Sequence, residues 1–113
     1  NNHTKWENYW ENNQLVSRII EIRYDNKSIF KIPNSIADLD SLRWLELQNN
    51  SITTIPGYIG SLQVLEYFTI FQNDIIELPP QIGNLVSLEI ILMTERSFSS
   101  FNFNNLIYLD FID

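Results

Sequence analysis

Apolar residues along this chain recur on two periods at once. Over short stretches they alternate with polar ones, as in Leu45-Glu46-Leu47-Gln48. Over longer distances the whole set returns: Ile19, Ile22 and Tyr24 reappear as Leu42, Leu45 and Leu47, then as Leu65, Phe68 and Ile70, then as Leu88, Ile91 and Met93. Each step is 23 residues, and the pairs Ile32-Pro33, Ile55-Pro56 and Leu78-Pro79 keep the same spacing. Agreement at that many positions marks an internal repeat. The alternating stretch predicts a short strand with every second side chain inward. Proline then ends strand pairing and Gly60 or Gly83 opens a turn, so Ile59–Leu62 and Ile82–Leu85 are predicted as loose helical or 3₁₀ returns. Stacked units each bury one face of a neighbour, so the core accumulates along the array and the end units need caps.

In register, one unit reads L-x-x-L-x-L-x-x-N-x-I-x-x-I-P-x-x-I-G-x-L, from Leu42 to Leu62 and again from Leu65 to Leu85. This pattern resembles the leucine-rich-repeat family over roughly residues 19–113. The resemblance implies an α/β leucine-rich-repeat solenoid: a curved arc with short parallel strands on its concave face and irregular, 3₁₀ or short helical returns on its convex face. Units are expected at 19–41, 42–64, 65–87 and 88–105, with a partial unit at 106–113. Asn50 and Asn73 fall where the family uses an asparagine whose side chain bonds neighbouring backbone groups in a ladder, and Lys27 and Arg96 break that ladder. The unit from Leu88 departs from the pattern. Phe98 and Phe101 fill two apolar positions, Asn102 replaces the proline, and the next strand-like set, Leu106, Leu109 and Phe111, follows after 18 residues.

Residues 1–18 do not match the repeat and are predicted as a helical N-terminal cap. Thr4 followed by Glu7 has capping-box spacing, and Trp6, Tyr9 and Trp10 fall on one face of a helix begun there. That aromatic face is expected to lie as a lid over the open side of the first unit. With no cysteine in the chain, such a lid is held by hydrophobic contact alone.

Charge sharpens the picture of possible partners. The net charge is −7, and it is unevenly placed. Up to Arg43 six basic residues balance six acidic ones, whereas from Trp44 onward Arg96 alone faces eight acids. Such a surface repels phosphate backbones, which argues against nucleic acid and anionic membranes. No apolar run approaches a membrane span or a signal-peptide core. The lack of cysteine removes disulfides, thiolate metal sites and thiol nucleophiles, and fits an intracellular protein. The plain L-P-x-x-I-G-x-L form also resembles intracellular signalling scaffolds, since the extracellular plant branch of the family places glycine before the Ile-Pro pair, where Thr53-Thr54 and Ile76-Glu77 stand here. Three Asn-X-Ser/Thr sequons, at Asn2, Asn26 and Asn49, leave secretion open, though this asparagine-rich composition yields nearly as many by chance. The first residue is Asn1 rather than methionine, which points to a segment upstream.

Catalysis finds little material. His3 is the only histidine, so neither a serine–histidine pair nor a zinc site can be assembled around it. Glu66 and Glu89 occupy equivalent positions on adjacent predicted strands, an arrangement open to an acid/base reading. Edge carboxylates in a solenoid are ordinarily solvated, and no catalytic residue, cofactor site or metal site is assigned.

Outward strand positions are the informative surface, because parallel strands stack equivalent residues about 4.8 Å apart. One predicted stripe runs Glu21, Trp44, Tyr67, Ile90, Tyr108. The next runs Arg23, Glu46, Thr69, Leu92, Asp110, and a third Asp25, Gln48, Phe71, Thr94, Ile112. Ile20, Arg43, Glu66, Glu89 and Ile107 form a rim. This register predicts ion pairs between Arg23 and Glu46 and between Arg43 and Glu66. It also gathers Trp44, Tyr67, Phe71, Ile90, Leu92 and Tyr108 into an aromatic and aliphatic patch beside Arg43, Glu46, Glu66 and Glu89, which is the character of a binding face. The expected function is a non-catalytic protein-interaction module that binds a protein or peptide, either basic or bearing exposed apolar residues, on its concave face. A structural role is the alternative, with copies assembling through the patch and the open strand at Leu109–Asp113.

Overall fold

The computed structural model describes residues 3–75, 77–93 and 108–111. One six-stranded sheet runs in chain order through β1 (His3–Glu11), β2 (Gln14–Arg23), β3 (Trp44–Glu46), β4 (Tyr67–Thr69), β5 (Ile90–Met93) and β6 (Tyr108–Phe111). β1 and β2 form an antiparallel hairpin, and every later neighbour is parallel. Three 3₁₀ turns, Asn34–Asp38, Gly57–Ser61 and Pro80–Asn84, carry the chain back between parallel strands. The architecture is the α/β solenoid that the repeat pattern implies. The part of the expected short unit that departs from the pattern, with Phe98, Phe101 and Asn102, lies outside the described residues, as do Ile76, Thr94, Arg96, Leu106, Ile107 and Ile112.

The returns share one construction. Pro33, Pro56 and Pro79 precede them with φ of −71, −73 and −70°, in extended backbone, where the ring fixes φ and removes a donor from the ladder. Their carbonyls accept the N–H of Ile36, Ile59 and Ile82 at 3.1, 3.1 and 3.0 Å, the short bond that defines a 3₁₀ turn. Those isoleucines are themselves buried. One residue therefore closes the turn and anchors it to the core, which consists of the inward aliphatic positions of successive units together with Phe68.

Two asparagines join the units through their backbones. Asn73 donates from Nδ2 to the carbonyls of Leu47, Ile70 and Phe71 at 2.9, 3.0 and 3.3 Å, and its Oδ1 accepts the N–H of Ile52 at 3.0 Å. Asn50 repeats this one unit earlier, with Tyr24, Leu47 and Gln48 as acceptors and the N–H groups of Lys27 and Ile29 as donors. Before each asparagine the chain passes through the left-handed region, at Asn49 with φ 58° and Gln72 with φ 55°.

Close approach requires a small residue at one return. A Cβ built on Gly60 would stand 2.7 Å from the carbonyl oxygen of Gln81 on the next return. On Gly57 it would meet only the end of the Gln81 side chain, at 3.0 Å from Oε1. A backbone oxygen cannot step aside, whereas a side-chain amide can.

The N-terminal segment is a hairpin and not the expected helix. Asn12 and Asn13 both have positive φ, 50 and 62°, which is the geometry of a two-residue turn whose twist matches paired strands. The residues before it then pair with Gln14–Arg23, with one extra residue, Ile20, accommodated in β2 opposite Lys5 and Trp6. The spacing of Trp6, Tyr9 and Trp10 suits a helical face, but it equally places Trp6 and Trp10 on one side of a strand and Tyr9 on the other. Nor is the hairpin a lid. Trp6 and Trp10 are 57% and 73% exposed, and the inward residues of the first unit, among them Ile22, Tyr24, Ile29 and Leu39, line an open apolar cavity of about 410 Å³.

Leu45 and Leu47 are inward residues of a central unit, 0% and 4% exposed. Truncating either to alanine should lower stability by about 2–5 kcal/mol, measurable by denaturant titration. Gly60→Ala should cost about 1–3 kcal/mol through overpacking, while Gly57→Ala should be nearly neutral; equal melting temperatures for these two variants would contradict the packing of the returns.

Candidate protein-interaction face

The pairing register fixes what lies beside what on the sheet. Glu21 stands opposite Trp44, Trp44 opposite Tyr67, Tyr67 opposite Ile90 and Ile90 opposite Tyr108. In the adjoining stripe Arg23, Glu46, Thr69, Leu92 and Asp110 follow one another. Inward neighbours of these residues, Ile22, Leu45, Phe68 and Ile91, are buried, so alternation turns the two stripes toward the opposite side.

Two rings of the first stripe are stacked. Trp44 and Tyr67 have centroids 3.8 Å apart and planes inclined by 9°. On the other side of Trp44 the Arg23 guanidinium lies 5.2 Å from the ring, completing a column that runs across β2, β3 and β4. Trp44 Nε1 donates to Glu46 Oε1 at 2.9 Å, so the indole is fixed in rotation as well as position. One face of each ring is spent on the other, and the Arg23 guanidinium stands over the Trp44 ring as well. Phe71, just after β4, and Ile90 and Leu92 on β5 extend the half-buried apolar surface.

Both expected ion pairs are replaced. Arg23 Nη2 bonds Glu21 Oε1 at 2.8 Å, two residues back on its own strand, rather than Glu46. Residues two apart on a strand share a face, so Glu21 competes on equal terms with the cross-strand carboxylate, and Glu46 is drawn to the indole N–H. Arg43 Nη2 reaches Glu7 Oε2 at 3.2 Å instead of Glu66; the acceptor is on β1, which a helical reading of residues 1–18 hid. Thr69 also departs from expectation. Although its stripe is outward, it is 1% exposed, and its hydroxyl bonds the Gln48 side chain, which lies over it. Glu66 and Glu89 follow the rim as expected, the first exposed and the second half-buried. Of Tyr108 the structure gives the strand position alone. Among the described residues no cluster of three or more histidine, cysteine, aspartate or glutamate side chains is arranged to hold a metal ion.

Electrostatics reinforce the column. Arg23 is held in its charged form above its ordinary value, first by the hydrogen bond to Glu21 and further by the charges of Glu21 and Glu46, with burial opposing. The Tyr67 hydroxyl is raised above its ordinary value, chiefly by burial, with Glu46 adding and Arg23 opposing.

No family model matches the sequence, and neither does any curated protein. Solved structures do. A leucine-rich-repeat protein of Leptospira interrogans is 29% identical, with a TM-score of 0.67, over 71% of this chain and 20% of its own length. The leucine-rich-repeat ectodomain of the receptor kinase SOBIR1 from Arabidopsis thaliana is 20% identical, with a TM-score of 0.63, over 97% of this chain and 78% of its own. The chain thus spans a fifth of the Leptospira protein and most of the plant ectodomain, the second likeness being one of fold.

Raising the folded-state value of a phenol means that the folded chain holds that proton more tightly than the unfolded chain does. The contribution is complete below the ordinary phenol range near 10 and falls as pH climbs above it. Tyr67→Phe should therefore lose less melting temperature than the parent between neutral and strongly alkaline pH; parallel curves for the two proteins would contradict the burial of this hydroxyl.

Proposed function

We propose that the chain works as a leucine-rich-repeat protein without catalysis, binding a protein or peptide on the face formed by the outward positions of β3–β6. One observation carries the reading: parallel register sets Trp44, Tyr67 and Ile90 side by side on consecutive strands, with Phe71 and Leu92 adjoining. Aromatic anchors on a rigid sheet are the residues that dominate binding energy at protein interfaces. The stacked pair is already ordered by Glu46 and Arg23, so association loses little side-chain freedom there.

Charge selects the kind of partner. From Trp44 onward one arginine stands against eight acids, and Glu46, Glu66 and Glu89 flank the apolar stripe. A basic segment with one or two apolar side chains matches that surface in both sign and character. The carboxylates steer encounter, and the apolar stripe holds the complex once formed.

Serine in place of Trp44, Tyr67 or Tyr108 should weaken partner capture by 2 kcal/mol or more, on the order of thirtyfold, with the fold retained. Reversing the charge of Glu66 and Glu89 should slow association with a basic partner, an effect that vanishes in high salt. The measurement is affinity and on-rate by surface-immobilised titration at two ionic strengths, with circular dichroism to verify folding. Unchanged affinity in all three aromatic variants would remove this face as the binding site.

A further inference from the structure

Among the described residues the sheet ends at β1, and that edge is long. Edge strands expose a row of backbone donors and acceptors that pair readily with another chain, so natural sheets keep them short or interrupt them with proline, bulges or several lysines. β1 runs nine residues, His3–Glu11, contains no proline and one lysine, and lies at the end of the strand order. The irregularity in the hairpin leaves β1 regular, because the extra residue falls in β2. Three large apolar side chains of the hairpin stand in solvent: Trp6, Trp10 and Leu15, at 57%, 73% and 58% exposure. Trp10 and Leu15 are paired neighbours across the hairpin. Trp6 and Trp10 share a strand face with Thr4, whose hydroxyl bonds Tyr24 on the wall of the open apolar cavity. Edge, aromatics and cavity therefore lie together at one end of the solenoid.

We propose that a second copy of this chain pairs with that edge, β1 against β1 and antiparallel, so that two sheets become one across a two-fold axis at Asn8. The sequence of β1 is self-complementary about that residue. In a symmetric antiparallel pair, directly opposed residues have numbers of constant sum; with Asn8 on the axis the sum is 8 + 8 = 16. Lys5 then faces Glu11 of the other copy, Trp6 faces Trp10, and Glu7 faces Tyr9, each twice. Opposite charges and aromatic pairs directly across two strands are the favourable combinations. Shifting the register by two in either direction sets Glu7 against Glu7 or against Glu11, like charges at the shortest distance. The indoles of both copies gather on one face of the joined sheet, beside the two open first-unit cavities. A symmetric, closed contact of this kind ends at two chains and does not propagate.

Charge exchange tests the register directly. The purified chain should show a mass that rises from one copy to two with concentration in sedimentation equilibrium. Lys5→Glu alone and Glu11→Lys alone should each weaken association on the order of tenfold, since each sets like charges opposite one another twice. An equimolar mixture of the two variants should recover it, because every opposed pair is then of opposite sign. Trp6→Thr with Trp10→Thr should weaken association without touching the charges, and thermal melts of every variant verify that the hairpin folds. A parent that stays monomeric into the millimolar range overturns the proposal and leaves this edge to a different occupant. So does association that is indifferent to both charge reversals, or a mixture that fails to recover it. A dimer lost in Tyr67→Ser but kept in Lys5→Glu would place self-contact on the opposite face.

Discussion

After β3 and after β4 the chain leaves a buried backbone that has no partner of its own kind, and the side chains of Asn50 and Asn73 supply one. Asn73 is 7% exposed and uses both amide groups, giving its donors to three carbonyls and its oxygen to one N–H across the boundary with the preceding unit. A buried polar group left unmatched costs about 1–3 kcal/mol, so a turn of this type without the amide would expose several such losses at once. The core depends on it as well. Only when strands are held in this relative position do Leu45, Phe68 and Ile91 stand in line, and only then do their outward neighbours form stripes.

That dependence explains how much was legible beforehand. The repeat set the register, and with it the composition of the stripes, because an array of equal units carries any strand position onto its equivalent. The asparagine positions followed from the family pattern. Periodicity says nothing about a segment that does not repeat, and in residues 1–18 local spacing is the whole of the signal. There, aromatics at positions 6, 9 and 10 suit a helix, while alternation of Trp6, Asn8 and Trp10 suits a strand. The Asn12-Asn13 pair decides between them, since a two-residue hairpin turn needs positive φ at both positions and asparagine tolerates it. The ion pairs were missed for a related reason. Register says which residues are near, but Glu21 and Glu46 are both near Arg23, and the choice rests on the indole N–H that claims one of them.

The outward face is not uniform, and its asymmetry follows from the same contacts. At β2 and β3 the charged groups are turned upon one another: Arg23 on Glu21, Trp44 on Glu46, Arg43 on Glu7. Those charges are already satisfied within the chain, so what this part of the face offers is pre-ordered ring surface rather than free charge. At β4 and β5 the outward residues Tyr67, Ile90 and Leu92 are half-buried and apolar, and Glu66 and Glu89 carry the rim charge with no arginine at the corresponding places. On the proposed binding reading, apolar contact and carboxylate steering coincide toward the later strands, while the earlier ones form the wall against which Tyr67 is stacked. The hairpin contributes to that wall from outside the repeat, through Glu7 on Arg43, so the segment least readable from the pattern still conditions the face that the pattern describes best.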